Sequence, residues 1–236
     1  MSAQTLKLAL VGYGRMGQML DRLAPEHGLE VVLRLDQHNN AGGAGLTPEN
    51  FRGVDVAIDF SVPETVADNA VGLAGLGVAT VVGATGWLDR LEEVQAAVEQ
   101  AGTGFVYGAN FSIGVNAFYR VVAEAAKLLA QAEDYDCWAW EAHHKRKLDA
   151  PSGTMLRLLG VMRESGYDRP IDVATNRVGW VPGTHEIGFD SEADSIELRH
   201  VARSREGFAR GALRAARWIH GRPGFFEFSK IWDQTL

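Results

Sequence analysis

The stretch Glu141 to Thr154 reads E-A-H-H-K-R-K-L-D-A-P-S-G-T and concentrates groups able to do chemistry. Two adjacent imidazoles, His143 and His144, precede three cations, Lys145, Arg146 and Lys147. A turn of Asp149, Pro151, Ser152 and Gly153 then opens onto a helix start at Thr154. Histidine is the side chain that titrates near neutral pH, and the free amides of a helix N-terminus bind anions. Proton transfer and anion capture are therefore expected in one place. Lysine and arginine runs are most often solvated faces; the His-His in front and the Gly-Thr helix start behind set this one apart.

The background sharpens that contrast. The 236 residues carry a formal net charge of -7, which argues against nucleic-acid or membrane-surface binding. A local basic cluster on such a chain suits small anions. The single Cys137 excludes an internal disulfide, and nothing around it has the spacing of metal ligands. No metal centre is expected. The first residues lack a signal-peptide layout and a span-length apolar run, so the expectation is a soluble, cytoplasmic protein.

The elements that must position this chemistry begin at Leu6. Leu6 to Val11 is a short apolar run of the kind that forms a buried parallel strand. It is followed by G12-Y-G14-R-M-G17 and by a helix carrying Met16, Leu20 and Leu23. This is a dinucleotide fingerprint: Gly12 for the turn, Gly14 for close approach to a pyrophosphate, Gly17 for helix packing. A second strand, Glu30 to Leu35, ends at Asp36, where an acid would bond an adenosine ribose. Strands at 54–60 and 78–82 alternate with helices at 64–76 and 88–100. The reading is an α/β fold with a Rossmann-like, doubly wound parallel sheet, and ligands at the carboxyl ends of its strands. Three ends carry suitable glycine turns: G12-Y-G14, G83-A-T-G86 and Y107-G-A-N-F111. Residues 41–45 (A-G-G-A-G) read as a surface loop.

Past Phe111 the pattern changes. A long helix over 115–129 leads to an alternating strand, 135–143, that delivers His143 and His144. Residues 152–165 read as a helix with Leu156, Leu159 and Met162 as its apolar stripe. The segment from Arg177 to His185 reads as loop or strand edge, and its residue types reveal no role. Short antiparallel strands are expected at 187–189 and 195–200. Arg210, Arg214 and Arg217, on a helix over 207–221, read as a solvated face, and Phe225, Phe226 and Phe228 as core. The dinucleotide-binding domain is expected over 1–112, rejoined by 207–236, with a substrate and oligomerisation domain over 113–206.

With these motifs in view, the chain resembles the 4-hydroxy-tetrahydrodipicolinate reductase family over nearly its full length. The resemblance rests on G-x-G-R-M-G at 12–17, D-F-S-x-P at 59–63, V-G-A-T-G-W at 82–87, A-N-F-S-I-G-V-N at 109–116 and the whole of 141–154. It implies an NADH- or NADPH-dependent reductase of lysine and diaminopimelate biosynthesis, with a smaller α+β domain built on a mixed sheet. A homotetramer acting on a small dicarboxylate substrate is also implied. By the same resemblance His143 is the proton donor and Lys147 its partner. His144, Gly153, Thr154 and Thr85 hold the substrate. The cofactor falls to Gly12, Tyr13, Gly14, Arg15 and Met16, to Asp36, to Gly83, Ala84 and Thr85, and to Gly108, Ala109, Asn110 and Phe111.

Departures from the family pattern carry their own expectations. The glycine loop is one residue shorter than in many members, and Ala84 stands where many have Thr. Gln37 and His38 follow Asp36 where many members place an Arg suited to a 2′-phosphate. A carboxylate repels that phosphate, so NADH is expected to serve at least as well as NADPH. The rival readings are a related amino-acid dehydrogenase on the same scaffold and a dinucleotide-binding sensor without chemistry; the intact His143, His144 and Lys147 speak against the sensor.

Overall fold

The computed structural model describes residues 4–236, and contacts along the chain divide it into two compact units. The first runs to Ile113 and resumes over Glu206–Leu236; the second is Gly114–Arg205.

In the first unit, strand and helix alternate as β1 (Leu6–Val11), α1 (Arg15–Leu23), β2 (Leu29–Leu35), β3 (Val56–Asp59), α2 (Pro63–Gly75), β4 (Ala79–Val82), α3 (Leu91–Ala101) and β5 (Gly104–Tyr107). Leu8, Ala9, Leu10 and Val11 are all buried, as expected of a parallel strand covered on both faces. Helix α4 (Ile113–Leu129) then leads into the second unit, with β6 (Asp136–His143), α5 (Gly153–Glu164), β7 (Ile171–Arg177), β8 (Thr184–Asp190) and β9 (Ser195–Val201). The chain returns through α6 (Glu206–Ile219), β10 (Gly224–Glu227) and α7 (Phe228–Ile231). The first sheet is wholly parallel, in the order β10-β5-β4-β3-β1-β2. Its order reverses beside β1, which places the ligand crevice between the carboxyl ends of β1 and β3.

The returning segment completes this unit. Ala209, Ala212, Leu213, Ala215, Ala216 and Ile219 of α6 are buried, and the small side chains let the helix lie close to the sheet. One of its arginines, Arg217, departs from the expected solvated face, whereas the Arg210 side chain remains 42% exposed. Arg217 Nη1 donates to the carbonyls of His27 and Gly28 at 3.1 and 2.9 Å, and Arg210 pairs with Glu26 at 2.9 Å. These bonds satisfy carbonyls in the turn before β2 and fix α6 against it. Phe225 stacks on Phe105 with centroids 4.9 Å apart, and Phe228 is fully buried against Phe111.

The second unit is a mixed four-stranded sheet in the order β7-β6-β8-β9, with β6 and β7 parallel and the other pairs antiparallel. Its core joins Phe118, Val122 and Ala126 of α4 and Met155, Leu158 and Met162 of α5 to Cys137, Ala139, Ile187 and Phe189 of the sheet. The segment from Arg177 to His185, expected as loop or edge, is split differently: Arg177 closes β7, and His185 lies inside β8 between two partners. The strand at 171–177 escapes a sequence reading because Asp172, Ala174 and Asn176 face out on an edge strand and leave no long apolar run.

Candidate active site

At the switch point, a cavity of about 560 Å³ is lined by Gly12, Tyr13 and Gly14 after β1, by Asp36, Gln37 and His38 after β2, and by Phe60, Ser61 and Val62 after β3. Gly12 sits at φ 86°, and a Cβ there would come within 2.5 Å of the Ser61 amide nitrogen. At Gly17 a Cβ would lie 2.6 Å from the Gly12 carbonyl oxygen, whereas at Gly14 it would meet nothing within 4 Å. Two glycines thus serve packing and the middle one leaves open space on the cavity side. That is the cradle a pyrophosphate needs at a helix N-terminus, and these residues fit a dinucleotide. Tyr13 is held over this turn: its hydroxyl donates to Asp21 at 2.5 Å, and Asp21 takes a two-pronged pair from Arg34 at 2.7 and 2.8 Å.

Asp36 closes the turn after β2. Its Oδ1 accepts the amides of His38 at 2.8 Å and Asn39 at 3.2 Å, and these bonds hold the carboxyl below its usual range. The residues expected as a plain surface loop belong to the same wall. Ala41 and Gly42 line the cavity, and Asn40 bonds both Asn69 and the Gly45 amide. Asn69 in turn donates to Asp59, a fully buried acid whose other oxygen accepts the Ser61 amide at 2.6 Å. Burial pushes the Asp59 carboxyl up to about 6 against those bonds.

Not every expected cofactor residue lines this cavity. Gly83, Ala84 and Thr85 follow β4, and Gly108, Ala109, Asn110 and Phe111 follow β5, at the next two strand ends along the same edge. Gly83 lies against the Phe60 ring, where a Cβ would approach to 2.1 Å. Thr85 is exposed, and Arg15 and Met16 open α1.

The second cluster grows from strand alternation. On β6, Cys137 and Ala139 face the helices, so Glu141 and His143 continue the same face. On β8, Phe189 and Ile187 are followed by His185, which pairs in register with Glu141; on β7, Arg177 pairs with His143. The apolar face of three adjacent strands therefore ends in a polar patch under the N-terminus of α5. Glu141 is completely buried. Its Oε1 accepts the Ser152 amide at 3.0 Å and Arg177 Nη2 at 2.8 Å, and its Oε2 accepts the Ser152 hydroxyl. Burial pushes this carboxyl up, but the bonds from Ser152 and Arg177 outweigh it and hold it below the usual value. His143 Nδ1 lies 3.7 Å and His185 Nε2 3.6 Å from Oε2. The donor atoms of these three residues all lie within 4.8 Å of one another, and the cation actually seated on the carboxylate is Arg177.

Burial lowers the His143 pKa, Glu141 opposes that shift, and Lys147 and Arg177 add to it; His185 is taken down to about 4, mainly by burial. Ser152 caps α5, accepting the Met155 amide at 3.2 Å. Lys147 Nζ lies 2.9 Å from Asp149, while Gly153 is exposed and Thr154 bonds to Tyr119. His144 is half-buried, and its Nδ1 has no hydrogen-bond partner among the described residues. His143, His144, Lys147, Gly153 and Thr154 thus share one end of the second unit. Glu141, Arg177 and His185 are the members that residue types did not reveal. The signal was available in C137-x-A-x-E141-x-H143 and H185-x-I187-x-F189, where a period of two carries apolar residues into polar ones.

Comparison with known proteins places both halves of the chain in one family. Residues 6–111 match the family model described as dihydrodipicolinate reductase, N-terminus, and residues 114–232 the one described as its C-terminus. A protein named 4-hydroxy-tetrahydrodipicolinate reductase from Christiangramia forsetii is 33% identical over 96% of this chain and 97% of its own. A protein of the same name from Methanoregula boonei is 36% identical over 92% of this chain and 94% of its own. Among solved structures, dipicolinate-bound dihydrodipicolinate reductase from Paenisporosarcina sp. TG-14 shares the fold at a TM-score of 0.82 and 21% identity. That likeness covers 97% of this chain and all of the other. Among the described residues no helix is long and apolar enough to cross a membrane.

Proposed function

The chain belongs to the dihydrodipicolinate reductase family, and from that premise we propose that it reduces 4-hydroxy-tetrahydrodipicolinate to tetrahydrodipicolinate in diaminopimelate and lysine biosynthesis. The observation that carries the reading is the join of a buried proton-handling cluster to a capped helix N-terminus, on a chain whose other unit holds a glycine cradle. When bound at that cradle, a nicotinamide dinucleotide supplies the hydride. The conversion balances as one hydride and one proton gained with the 4-hydroxyl lost as water.

The chain's own residues have two tasks. His143 delivers the proton, and Lys147 stabilises the negative charge that builds on the ring. His144, Gly153 and Thr154 hold the two carboxylates. Gly153 and Thr154 do so with helix N-terminal amides that have no intrahelical partner. In the first unit Gly12, Tyr13, Gly14, Arg15 and Met16 receive the pyrophosphate and Asp36 the adenosine ribose. Gly83 to Thr85 and Gly108 to Phe111 take the nicotinamide end. NADH serves at least as well as NADPH: the Asp36 carboxylate stays ionised, and Arg34, two residues earlier, is already committed to Asp21.

Assembly as a homotetramer through the outer face of the mixed sheet, in the cytoplasm, completes the reading. That face carries Trp140, held by a 2.6 Å bond from its Nε1 to Asn176, and the exposed Val201. The activity is tested with substrate generated in the assay by the preceding synthase, following loss of reduced nicotinamide absorbance. Turnover of that product, with none on aspartate or other amino and imino dicarboxylates, supports the reading. The reverse preference would assign the chain to the related dehydrogenases instead.

A further inference from the structure

Glu141 has no role in the reading above, yet it is the most completely enclosed charged group of the second unit. The protons around it can be counted. The Ser152 hydroxyl carries one proton and gives it to Glu141 Oε2. Its oxygen then acts as acceptor, first for the Met155 amide at 3.2 Å. His185 Nε2 stands 3.2 Å from the same oxygen, with no second hydroxyl proton to receive. His185 therefore carries its proton on Nε2 and donates to Ser152. It also remains neutral across the physiological range, so the anion at this site is answered by Arg177 and by whatever charge His143 takes up.

On His143 the two ring nitrogens face different surroundings. Nδ1 looks toward Glu141 Oε2 at 3.7 Å, is buried and has no hydrogen-bond partner among the described residues. That distance is too long for a hydrogen bond and well within reach of an ion pair. Nε2 looks toward Gly183, where a Cβ would come within 3.2 Å; glycine keeps room at this nitrogen. A proton on Nδ1 would face a carboxylate, whereas a bare Nδ1 would set a lone pair against it.

We infer that Glu141 is a positioning residue for the proton donor: it fixes His143 with Nδ1 protonated, leaving Nε2 as the nitrogen that gives its proton to the substrate. This rests on the reading of His143 as donor. Glu141 also stabilises the imidazolium against the other groups that face it. Lys147 in the following loop and Arg177 on β7 disfavour a charge on His143, Asp149 favours it, and His185 on β8 faces it as a neutral ring. Through Ser152 the same carboxylate holds the α5 N-terminus, so donor and carboxylate receptor are set by one buried group.

The test is the pH dependence of kcat in Glu141→Gln, which keeps the side-chain shape and removes the charge. The basic limb, which reports the donor losing its proton, moves down by about one pH unit or more, and kcat near pH 7.5 falls about tenfold for each unit. A variant that melts earlier but keeps the limb in place overturns the inference and leaves Glu141 a structural group. Should the variant fail to fold, nitrogen-15 NMR of the wild-type imidazoles decides. Neutral His143 protonated on Nδ1 and His185 protonated on Nε2 are expected, and His143 protonated on Nε2 overturns it. His143→Gln separates the layers. Undiminished turnover there removes the donor assignment and this inference with it, while an inactive His143→Gln beside an unmoved limb in Glu141→Gln removes the inference alone.

Discussion

Ser152 and Glu141, eleven residues apart, are joined twice: the Ser152 amide donates to Oε1 at 3.0 Å and its hydroxyl donates to Oε2. One residue thus caps α5 and satisfies a buried carboxylate. Ser152→Ala removes the cap and leaves Glu141 short of a donor, at a combined cost of about 2 kcal/mol. A lowered melting temperature is expected, with a rise in substrate KM larger than the fall in kcat. An unchanged KM would separate the helix N-terminus from substrate binding.

The glycine loop divides by the space each position leaves. Gly17→Ala would set a Cβ 2.6 Å from the Gly12 carbonyl, whereas at Gly14 it meets nothing within 4 Å. Thermal unfolding without ligand should show Gly17→Ala clearly destabilised and Gly14→Ala close to wild type. Dinucleotide titration should then show Gly14→Ala binding about tenfold more weakly, roughly 1.4 kcal/mol. Full affinity in Gly14→Ala would mean the cofactor does not approach this backbone.

Much of this was legible in the sequence, because it is carried by short-range signals. Leu6 to Val11 and the three glycines after it announce a strand, a turn and a helix start within a dozen residues. The stretch at 141–154 likewise shows its histidines and its helix entry. The buried partners were harder to see because pairing between distant strands creates them. Arg177 meets Glu141 only when β7 pairs with β6, and His185 only when β8 pairs on the other side. β7 carries polar residues on its exposed face, so its period is faint. Arg217 of α6 is hidden for a similar reason: its acceptors, the carbonyls of His27 and Gly28, lie 190 and 189 residues away.

Asp59 supplies a pH-dependent prediction. Its folded pKa of about 6 lies above the ordinary 3.8, so the folded state binds the extra proton between those values. Its contribution to stability is present below pH 3.8 and is lost as pH rises to about 6, a change on the order of 3 kcal/mol. The difference in unfolding free energy between wild type and Asp59→Asn should therefore shift toward the variant across that window and level off above it. A difference that stays flat with pH would mean Asp59 is ionised when folded.

Cofactor preference turns on Asp36. The ratio of kcat/KM for NADH to that for NADPH should be one or greater in the wild type and should fall about tenfold or more in Asp36→Ala, as a charge facing the 2′-phosphate is removed. A strong NADPH preference in the unaltered chain would contradict the placement of the ribose at this carboxylate.

The most direct measurement is the rate of reduced nicotinamide consumption on 4-hydroxy-tetrahydrodipicolinate, compared between the wild type, His143→Ala and Lys147→Ala. The expected result is steady turnover by the wild type and kcat reduced about 10²- to 10⁴-fold in each variant, with folding retained. No turnover by the wild type, or undiminished turnover by either variant, would contradict the account.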